Sequence, residues 1–320
     1  MASVLSDPRF HVEQVAIEYV EAKLWPDGPT CPFCGATKEH VGRLNGKSTR
    51  PGLCKCYACR KPFTVKIGTI FEKSHVPLHV WLQAMHLLCA SKKGFSTTQL
   101  QRVLNVSMQT AWFLSMRIRE AMDDGSIVQL GGEGKTVEID ETFVGGKAKN
   151  MHANKRKHRG TGGAGKEAVF SLVERGGRVR SRHVPSVNAN TLRPIIQAHV
   201  EGKTLVMSDE GPGAKMVASE FKKHDSVNHG AGEYVRDNAH INTAENYFSI
   251  LKRGIIGTYH HVSQEHLHRY LAEFDFRYNN RIALGINDVD RADVALRGVK
   301  GKRLTYATPQ KRSAGKARPA

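Results

Sequence analysis

The chain has 320 residues, which at a prior of about 150 residues per domain is enough for two domains or three small ones. Apolar residues make up 40% of the chain and charged residues 24%, a composition that excludes disordered and collagen-like proteins. The longest apolar stretches are far shorter than the roughly 20 residues of a membrane span, and the N-terminus carries no export signal, so we expect a cytoplasmic protein with no membrane partner.

Basic residues strongly outnumber acidic ones. The 48 Lys and Arg exceed the 30 Asp and Glu by 18, which predicts a polyanionic partner, with nucleic acid as the first candidate. A membrane surface is the alternative, but that partner usually goes with a basic amphipathic helix. The charge is concentrated in two stretches without acids, residues 147–166 and 297–320. We expect the first, through Arg156 to Arg159, to be a mobile DNA clamp and the second to be either a DNA-binding or a solvated tail.

The chain opens with residues 1–26, where we expect a helix, and continues at 27–73 with a cysteine-rich segment. Five of the six cysteines lie between positions 31 and 59. Two Cys-x2-Cys pairs place their thiolates on tight turns and together supply the tetrahedral four-sulfur shell that zinc favours. Cys54 is an alternative to Cys56, although the spacing favours Cys56. The predicted ligands of a structural Zn²⁺ in this zinc ribbon are Cys31, Cys34, Cys56 and Cys59.

Helical patterns follow a strand-like segment at 63–71. Residues 78–90 and 97–122 carry apolar residues at helical spacing, and the second pattern is interrupted where Ser107 caps a new helix, as Ser96 caps the one before it. We interpret residues 74–126 as a helix-turn-helix-like DNA-binding region, with a plain helical hairpin as the alternative. The candidate base contacts on its second helix are Gln109, Thr110 and Arg117.

A glycine-rich boundary precedes a change from helical to strand-like periodicity, and we expect one domain at 132–290. Strands are predicted at 136–143, 168–174, 179–184, 204–208 and at either 226–229 or 233–235, and helices at 188–200, 214–223 and 243–255. A start joined by a hairpin, followed by alternating units, predicts an α/β mixed sheet with helices on both faces. This order of elements is the layout of the ribonuclease-H-like fold. A basic C-terminal tail is expected at 291–320.

Three acids stand at informative places in this layout. Asp140 lies within the first predicted strand, Asp209 follows the fourth, and Glu245 comes after 35 intervening residues, on a predicted helix. Charges that follow buried strands need a compensating cation. Lys252, two helical turns beyond Glu245, lies on the same side of that helix and suits a phosphate.

Carboxylate oxygens bind Mg²⁺, and two such ions can activate an attacking oxygen and stabilise a leaving one. The acids therefore predict phosphodiester cleavage or exchange, with Asp140 bridging two Mg²⁺ ions, although Mn²⁺ accepts the same ligands. If one of the three acids is wrong, Glu138 and Asp237 are the substitutes. Glu141 is less favoured, because alternation along the strand places it on the opposite face.

The sequence resembles bacterial insertion-sequence transposases that have an N-terminal zinc ribbon and a DDE catalytic domain. The resemblance covers roughly residues 15–285. It is carried by the cysteines of the ribbon, VEIDETFVGG at 137–146, SD at 208–209, HINTAE at 240–245, LKRG at 251–254, GTYH at 257–260 and FRYN at 276–279.

The resemblance implies a DNA transposase in the bacterial nucleoid that cuts at the ends of its element and joins the 3′ hydroxyl to target DNA. It implies metal binding by Asp140, Asp209 and Glu245, with Lys252 near terminal DNA and a homodimer or larger oligomer that bridges two ends. Relatives with Asn in place of the third acid make Asn242 and Asn246 alternatives to Glu245.

Two rival functions remain open, a nuclease or resolvase that cuts without joining and a non-catalytic DNA-binding regulator. Two further patterns are interpreted as structural or DNA-facing rather than catalytic. One is the group His260, His261, His266 and His268, which could suggest a metal site, and the other is Tyr278, which could suggest a nucleophile.

Overall fold

The structure is a computed structural model, and it describes residues 3–125, 128–146, 163, 165–209, 212–221, 223–226 and 240–304. The α-helices are α1 (Glu13–Leu24), α2 (Leu78–Ala90), α3 (Thr97–Leu104), α4 (Met108–Met122), α5 (Ala189–His199), α6 (Pro212–Ala218), α7 (Asn242–Gly254), α8 (Gln264–Asn279) and α9 (Asp288–Arg297). The strands are β1 (Val41–Arg43), β2 (Cys54–Cys56), β3 (Pro62–Phe63), β4 (Thr136–Val144), β5 (Glu167–Glu174), β6 (Val179–Val184), β7 (Leu205–Ser208) and β8 (Lys223–Ser226).

The larger sheet has five strands in the order β6-β5-β4-β7-β8. β4, β5 and β6 are antiparallel neighbours, whereas β4, β7 and β8 run parallel. One face packs against α5 and α6 through Ile139 and Ile196, and the other packs against α7 and α8 through Val173 and Leu251. The predicted α/β mixed sheet with helices on both faces is confirmed, and the fold is ribonuclease-H-like.

The outer edge of β6 is covered by side chains of α8. Asp275 accepts hydrogen bonds from the backbone N–H and the hydroxyl of Ser181 at 2.6 and 2.8 Å. Asn279 accepts from the N–H of Val179 at 2.7 Å and donates to its carbonyl at 3.0 Å. These side chains replace the partner strand that an edge otherwise lacks.

The last predicted strand of this sheet begins earlier than expected. β8 occupies Lys223–Ser226, so the start predicted at Ser226 was three residues too late. Residues 227–229, the rest of that prediction, and residues 233–235, the second alternative, lie outside the described residues.

A three-stranded antiparallel sheet, β1-β2-β3, forms the ribbon. Of the strand-like segment at 63–71, only Phe63 lies in a strand, β3 (Pro62–Phe63). Apart from an isolated bridge between Thr69 and Lys300, the remainder folds mostly into turns. Gly68 has a φ of +72°, and the hydroxyl of Thr69 donates to the carbonyl of Lys66 at 2.6 Å. The strand prediction was wrong beyond Phe63 because these local turn contacts prevail over the β-propensity of the segment.

The helices outside the sheet share one core. α1, α2, α3, α4 and α9 bury side chains that include Trp81, Leu100 and Leu114. The hydroxyls of Ser96 and Ser107 accept from Gln99 N and Thr110 N, so both predicted caps are confirmed. Among the described residues, no helix has the length and apolar character needed to cross a bilayer.

The segment assigned to a basic tail starts within a packed helix. α9 spans Asp288–Arg297 and buries Ala295 and Leu296 in the helical core, and Val299 is buried beyond it. The expectation of a tail is wrong for residues 291–304, because these apolar residues fall on one side of α9 and pack against α2. Residues 305–320 lie outside the described residues.

Candidate functional site

The acid group forms where two parallel strands end side by side. β4 pairs with β7 from Thr136 to Ile139, and the last pair joins Ile139 to Ser208. Asp140 and Asp209 are the next residues on each strand and therefore meet. One carboxylate oxygen each from Asp140, Glu141 and Asp209 lies within 4.8 Å of the others. The structure thus brings together two of the three predicted acids and adds Glu141.

Glu141 joins the acids despite its position on the other face of β4. The alternation itself holds, since Ile139 packs in the α5 and α6 core and Val144 in the α7 and α8 core. β7 ends beside Ile139, so one edge of β4 is open beyond that point, and a long side chain can reach around it. The expectation that the opposite face keeps Glu141 away from the acids is wrong.

Glu245 and Lys252 face the same open cavity as Asp140 and Glu141. This cavity has a volume of about 680 Å³ and is lined from α7 also by Phe248, Ser249 and Arg253. Both Glu245 and Lys252 are exposed. Within the described part of the chain, neither alternative third ligand, Asn242 or Asn246, lines the cavity. The shared cavity therefore favours Glu245.

Glu138, the first substitute acid, is fully buried and holds the start of α7. Its carboxylate accepts from Arg175 at 2.6 Å, from the hydroxyl of Thr243 at 2.9 Å and from the N–H of Ala244 at 2.8 Å. These contacts fix α7, and with it Glu245, against β4. The anchoring by Arg175 had no sequence signal. Asp237, the second substitute, lies outside the described residues.

Burial and the neighbouring charge of Asp209 disfavour the ionised forms of two members of the acid group. Burial, followed by the charge of Asp209, raises the pKa of Asp140 to about 8. Burial and Asp209 also raise the pKa of Glu141 to about 7. Oxygen Oε2 of Glu141 is buried and has no hydrogen-bond partner among the described residues. A set of carboxylate oxygens in this state fits a hard divalent cation such as Mg²⁺ or Mn²⁺.

The four predicted zinc ligands converge in the ribbon. The sulfurs of Cys31, Cys34, Cys56 and Cys59 all lie within 4.8 Å of one another. Cys31 lies 3.6 Å from Cys59 and Cys34 lies 3.6 Å from Cys56, measured between sulfurs. Cys54 is buried outside this group, and burial raises its pKa. The zinc ribbon therefore presents a four-cysteine cluster of the composition that Zn²⁺ prefers.

The residues proposed for base contacts on α4 differ in accessibility. Gln109 is exposed, and Thr110 is half-buried with its hydroxyl 2.9 Å from that of Ser107. Arg117 is 4% exposed and donates to the carbonyls of Ile70 and Glu72, the second at 2.9 Å. The expectation that Arg117 contacts DNA is wrong, because α4 beyond its first turn packs into the helical core.

The histidines after α7 do not gather around a common point. Among the described residues, none of the four belongs to a group of three possible metal ligands. His266 stacks edge-on against Trp112, with ring centroids 5.7 Å apart, and approaches Arg269 at 3.1 Å. Tyr278 packs against Tyr247 at 5.6 Å between centroids, and burial raises its pKa. Both groups therefore have structural explanations.

The expected clamp at 147–166 lies outside the described residues, apart from residues 163, 165 and 166. Arg156 to Arg159, the residues proposed to contact DNA, are among those not described. Its proposed contact with DNA stays a prediction.

Comparisons with known proteins match the two parts of the chain that contain these sites. Residues 129–279 match the ISXO2-like transposase domain, and residues 12–62 match a transposase zinc-ribbon domain. A protein of the transposable element ISH50 from Halobacterium salinarum is 30% identical over 266 residues, which are 79% of this chain and 86% of that protein. A transposase-like protein of Haemophilus influenzae is 31% identical over 98 residues, 30% of this chain and 77% of that protein. The chain belongs to the ISXO2-like transposase family.

Proposed function

We propose that the protein is a metal-dependent DNA transposase that cuts at the ends of an insertion sequence and joins the freed 3′ hydroxyl to target DNA. The observation that carries this proposal is the acid group of Asp140, Glu141 and Asp209, two members of which, Asp140 and Glu141, line an open cavity together with Glu245 and Lys252. The lining of this cavity thus includes both acidic and basic side chains.

Each residue has a separate part in this reaction. Asp140, Asp209 and Glu245 would hold the divalent cations, and of these three acids Asp140 is the most buried. When bound, such cations polarise the phosphoryl oxygens and lower the pKa of the attacking hydroxyl. Lys252, on the cavity wall, would bind a phosphate next to the reacting one and so hold the strand in line.

The ribbon would hold a structural Zn²⁺ through its four cysteines. Replacing Cys31 with Ser should remove the zinc and unfold the ribbon, whereas replacing Cys54 with Ser should leave the zinc content at one ion per chain. Metal analysis of the purified variants checks this. Zinc loss in the Cys54→Ser protein with retention in a Cys56→Ser protein would show that Cys54 takes the place of Cys56 as a ligand.

DNA is the proposed partner, because the net charge of +18 is far above what solubility requires. The affinity for DNA should therefore fall steeply with salt. An oligomer that holds two element ends together is expected from the reaction.

An assay with a pre-cut element end and a supercoiled target plasmid tests the proposal. We expect joined products in Mg²⁺, and loss of both cutting and joining, with DNA binding retained, when Asp209 is replaced with Ala. Cutting without joining by the unmodified protein would favour a nuclease or resolvase. An unchanged transposition frequency in cells that carry the Asp209→Ala protein would favour a DNA-binding regulator.

A further inference from the structure

Both cysteine turns of the ribbon carry an exposed aromatic side chain. Phe33, in the turn between Cys31 and Cys34, is 45% exposed, and Tyr57, directly after Cys56, is 59% exposed. Among the described residues, Phe143 is the one other large aromatic side chain that is as much as 36% exposed to solvent. Two exposed rings on adjoining turns, with cations beside them, are a candidate contact surface.

Tyr57 is held in place by the strand beside it. Its backbone N–H donates to the carbonyl of His40 at 2.8 Å. A Cβ atom on Gly42 would lie 2.6 Å from the hydroxyl oxygen of Tyr57 and 2.8 Å from a ring carbon. The ring therefore lies along β1 where glycine leaves room for it, and this contact restricts the side chain and so lowers the entropy cost of binding.

Phe33 has a cation next to its ring. The ammonium of Lys61 lies 5.0 Å from the centroid of the Phe33 ring, within cation–π range. The turns that carry the two aromatic residues adjoin, since the sulfurs of Cys34 and Cys56 are 3.6 Å apart. Arg60 and Lys61 follow the second turn and are exposed. Aromatic rings and cations together suit a ligand that has both flat rings and phosphates.

The charge of the ribbon selects the partner. Residues 27–73 contain nine Lys or Arg against three Asp or Glu, and the net of +6 stays positive even after the charge of −2 that Zn²⁺ with four thiolates contributes. An acidic partner is therefore favoured over an apolar or basic protein surface. Nucleic acid combines this acidity with bases on which aromatic rings stack.

We propose that Phe33, Tyr57, Arg60 and Lys61, together called the turn surface, bind DNA whose bases are accessible. Phe33 and Tyr57 stack on the bases, and Arg60 and Lys61 contact the phosphates. This inference rests on the proposed function in taking DNA as the substrate, and it adds the form of DNA that the ribbon recognises. Bases inside an intact duplex are covered by their neighbours, so the turn surface favours frayed ends and single strands over closed duplex.

The test is DNA binding by the full-length, zinc-loaded protein without added Mg²⁺, measured by fluorescence anisotropy. The probes are a labelled 20-nucleotide single strand and the same sequence as a duplex. We expect Phe33→Ala and Tyr57→Ala each to weaken single-strand binding at least about fivefold and duplex binding less than about twofold. Lys61→Gln should reduce the salt slope for the single strand by about 0.7.

Ile282→Ala is the matched control, since Ile282 is 71% exposed and apolar but lies after α8, outside the ribbon. It should bind both probes as the unmodified protein does. Zinc content and thermal melting of each variant separate lost stacking from a misfolded ribbon. Gly42→Ala, which pushes the Tyr57 ring aside, should reproduce the effect of Tyr57→Ala with zinc retained.

Equal single-strand affinity of the Phe33→Ala, Tyr57→Ala and unmodified proteins would overturn the inference. So would a loss of oligomerisation in the variants without any change in DNA binding, which would make the turn surface a contact between copies. Because no step of the assay requires cleavage, an inactive acid group would not affect it. Conversely, unaltered binding by the variants would leave the proposed cleavage intact.

Discussion

Two buried acids, Glu273 on α8 and Asp140 on β4, have opposite electrostatic surroundings. Glu273 of α8 is fully buried, accepts from Arg119 at 2.6 Å and from the hydroxyl of Tyr259 at 2.6 Å, and pairs with Arg277. Burial alone would raise its pKa, but the charges of Arg119 and Arg277 outweigh burial and lower the pKa to about 2. Asp140 is 8% exposed, and burial together with Asp209 raises its pKa to about 8.

The difference separates a structural acid from one that is suited to bind a cation. Glu273 joins α4 to α8, so that its charge is neutralised by the protein itself. Asp140 is instead surrounded by the acids Asp209, Glu141 and Glu245, whose charges disfavour its ionised form, and a bound cation would favour that form. A high pKa at a buried acid next to other acids therefore points to a binding site, whereas a low pKa points to a permanent ion pair.

The largest effect expected from this comparison is on catalysis. Asp140→Asn keeps the size of the side chain but removes a charged metal ligand, and we expect the rate of Mg²⁺-dependent cleavage to fall at least about 1000-fold. A gel assay on labelled element ends measures the rate. The matched control is Asp225→Asn on β8, which also replaces an Asp of the same sheet, and cleavage within about threefold of the unmodified rate is expected for it. A comparable loss in both proteins would mean that the fold, not the ligand, was affected.

Glu273→Gln should have the largest effect on stability. The change leaves two buried guanidinium groups without a counter-charge, and we expect the free energy of unfolding to fall by about 3–5 kcal/mol. Chemical denaturation followed by circular dichroism measures this. Because the pKa of Glu273 is lowered in the folded protein, its contribution is complete above about pH 4.5 and is lost as the pH falls towards 2. A Glu273→Gln protein as stable as the unmodified one would show that the arginines find other partners.

Glu141→Gln tests whether the acid that joins the group from the opposite face takes part in the reaction. If it contributes a ligand or orients one, the Mg²⁺ concentration needed for half-maximal cleavage should rise about 10- to 100-fold. A titration of cleavage rate against Mg²⁺ gives this value. Glu133→Gln, at an exposed position before β4, is the control. An unchanged Mg²⁺ requirement would limit Glu141 to a structural role.

The smallest effect concerns the stability of the metal-free protein. The pKa of Asp140 is raised on folding, so its ionisation opposes folding, and this cost grows as the pH rises from about 4 to about 8. Asp140→Asn should therefore stabilise the metal-free protein at pH 8 by at least about 1 kcal/mol, and by less at pH 5. Thermal melting at both values measures the difference. Equal increments at the two values would show that Asp140 is not protonated in the folded protein.

Local patterns predicted much of the fold. α2 has the predicted bounds, and both serine caps are where the sequence placed them. The two cysteine pairs were evident from their spacing, β6 has the predicted bounds, and β4 extends one residue beyond them. In each of these cases the decisive interactions join residues a few positions apart in the chain. They can therefore be predicted from the sequence pattern alone.

The features that were missed depend on contacts between distant segments. Arg117 has the position of a DNA contact on its own helix, but the carbonyls that surround it belong to residues 70 and 72 and to Leu304. Glu141 reaches the acid group because β7 ends two residues earlier in register. The burial of the apolar side of α9 could not be predicted locally, because it packs against α2, which lies some 200 residues away in sequence. The roles of the acids and cysteines as ligands stay predictions.

The side chains of Asp275 and Asn279 along β6 limit the pairing of this sheet edge with a strand from another copy of the protein. A nascent chain next to a folded one finds the N–H and carbonyl of Val179 and the N–H of Ser181 already hydrogen-bonded, so these groups cannot pair with an added strand. Protection of this border depends on two side chains of a single helix, so a mutation there could convert a well-behaved polypeptide into one that forms intermolecular β-structure during synthesis.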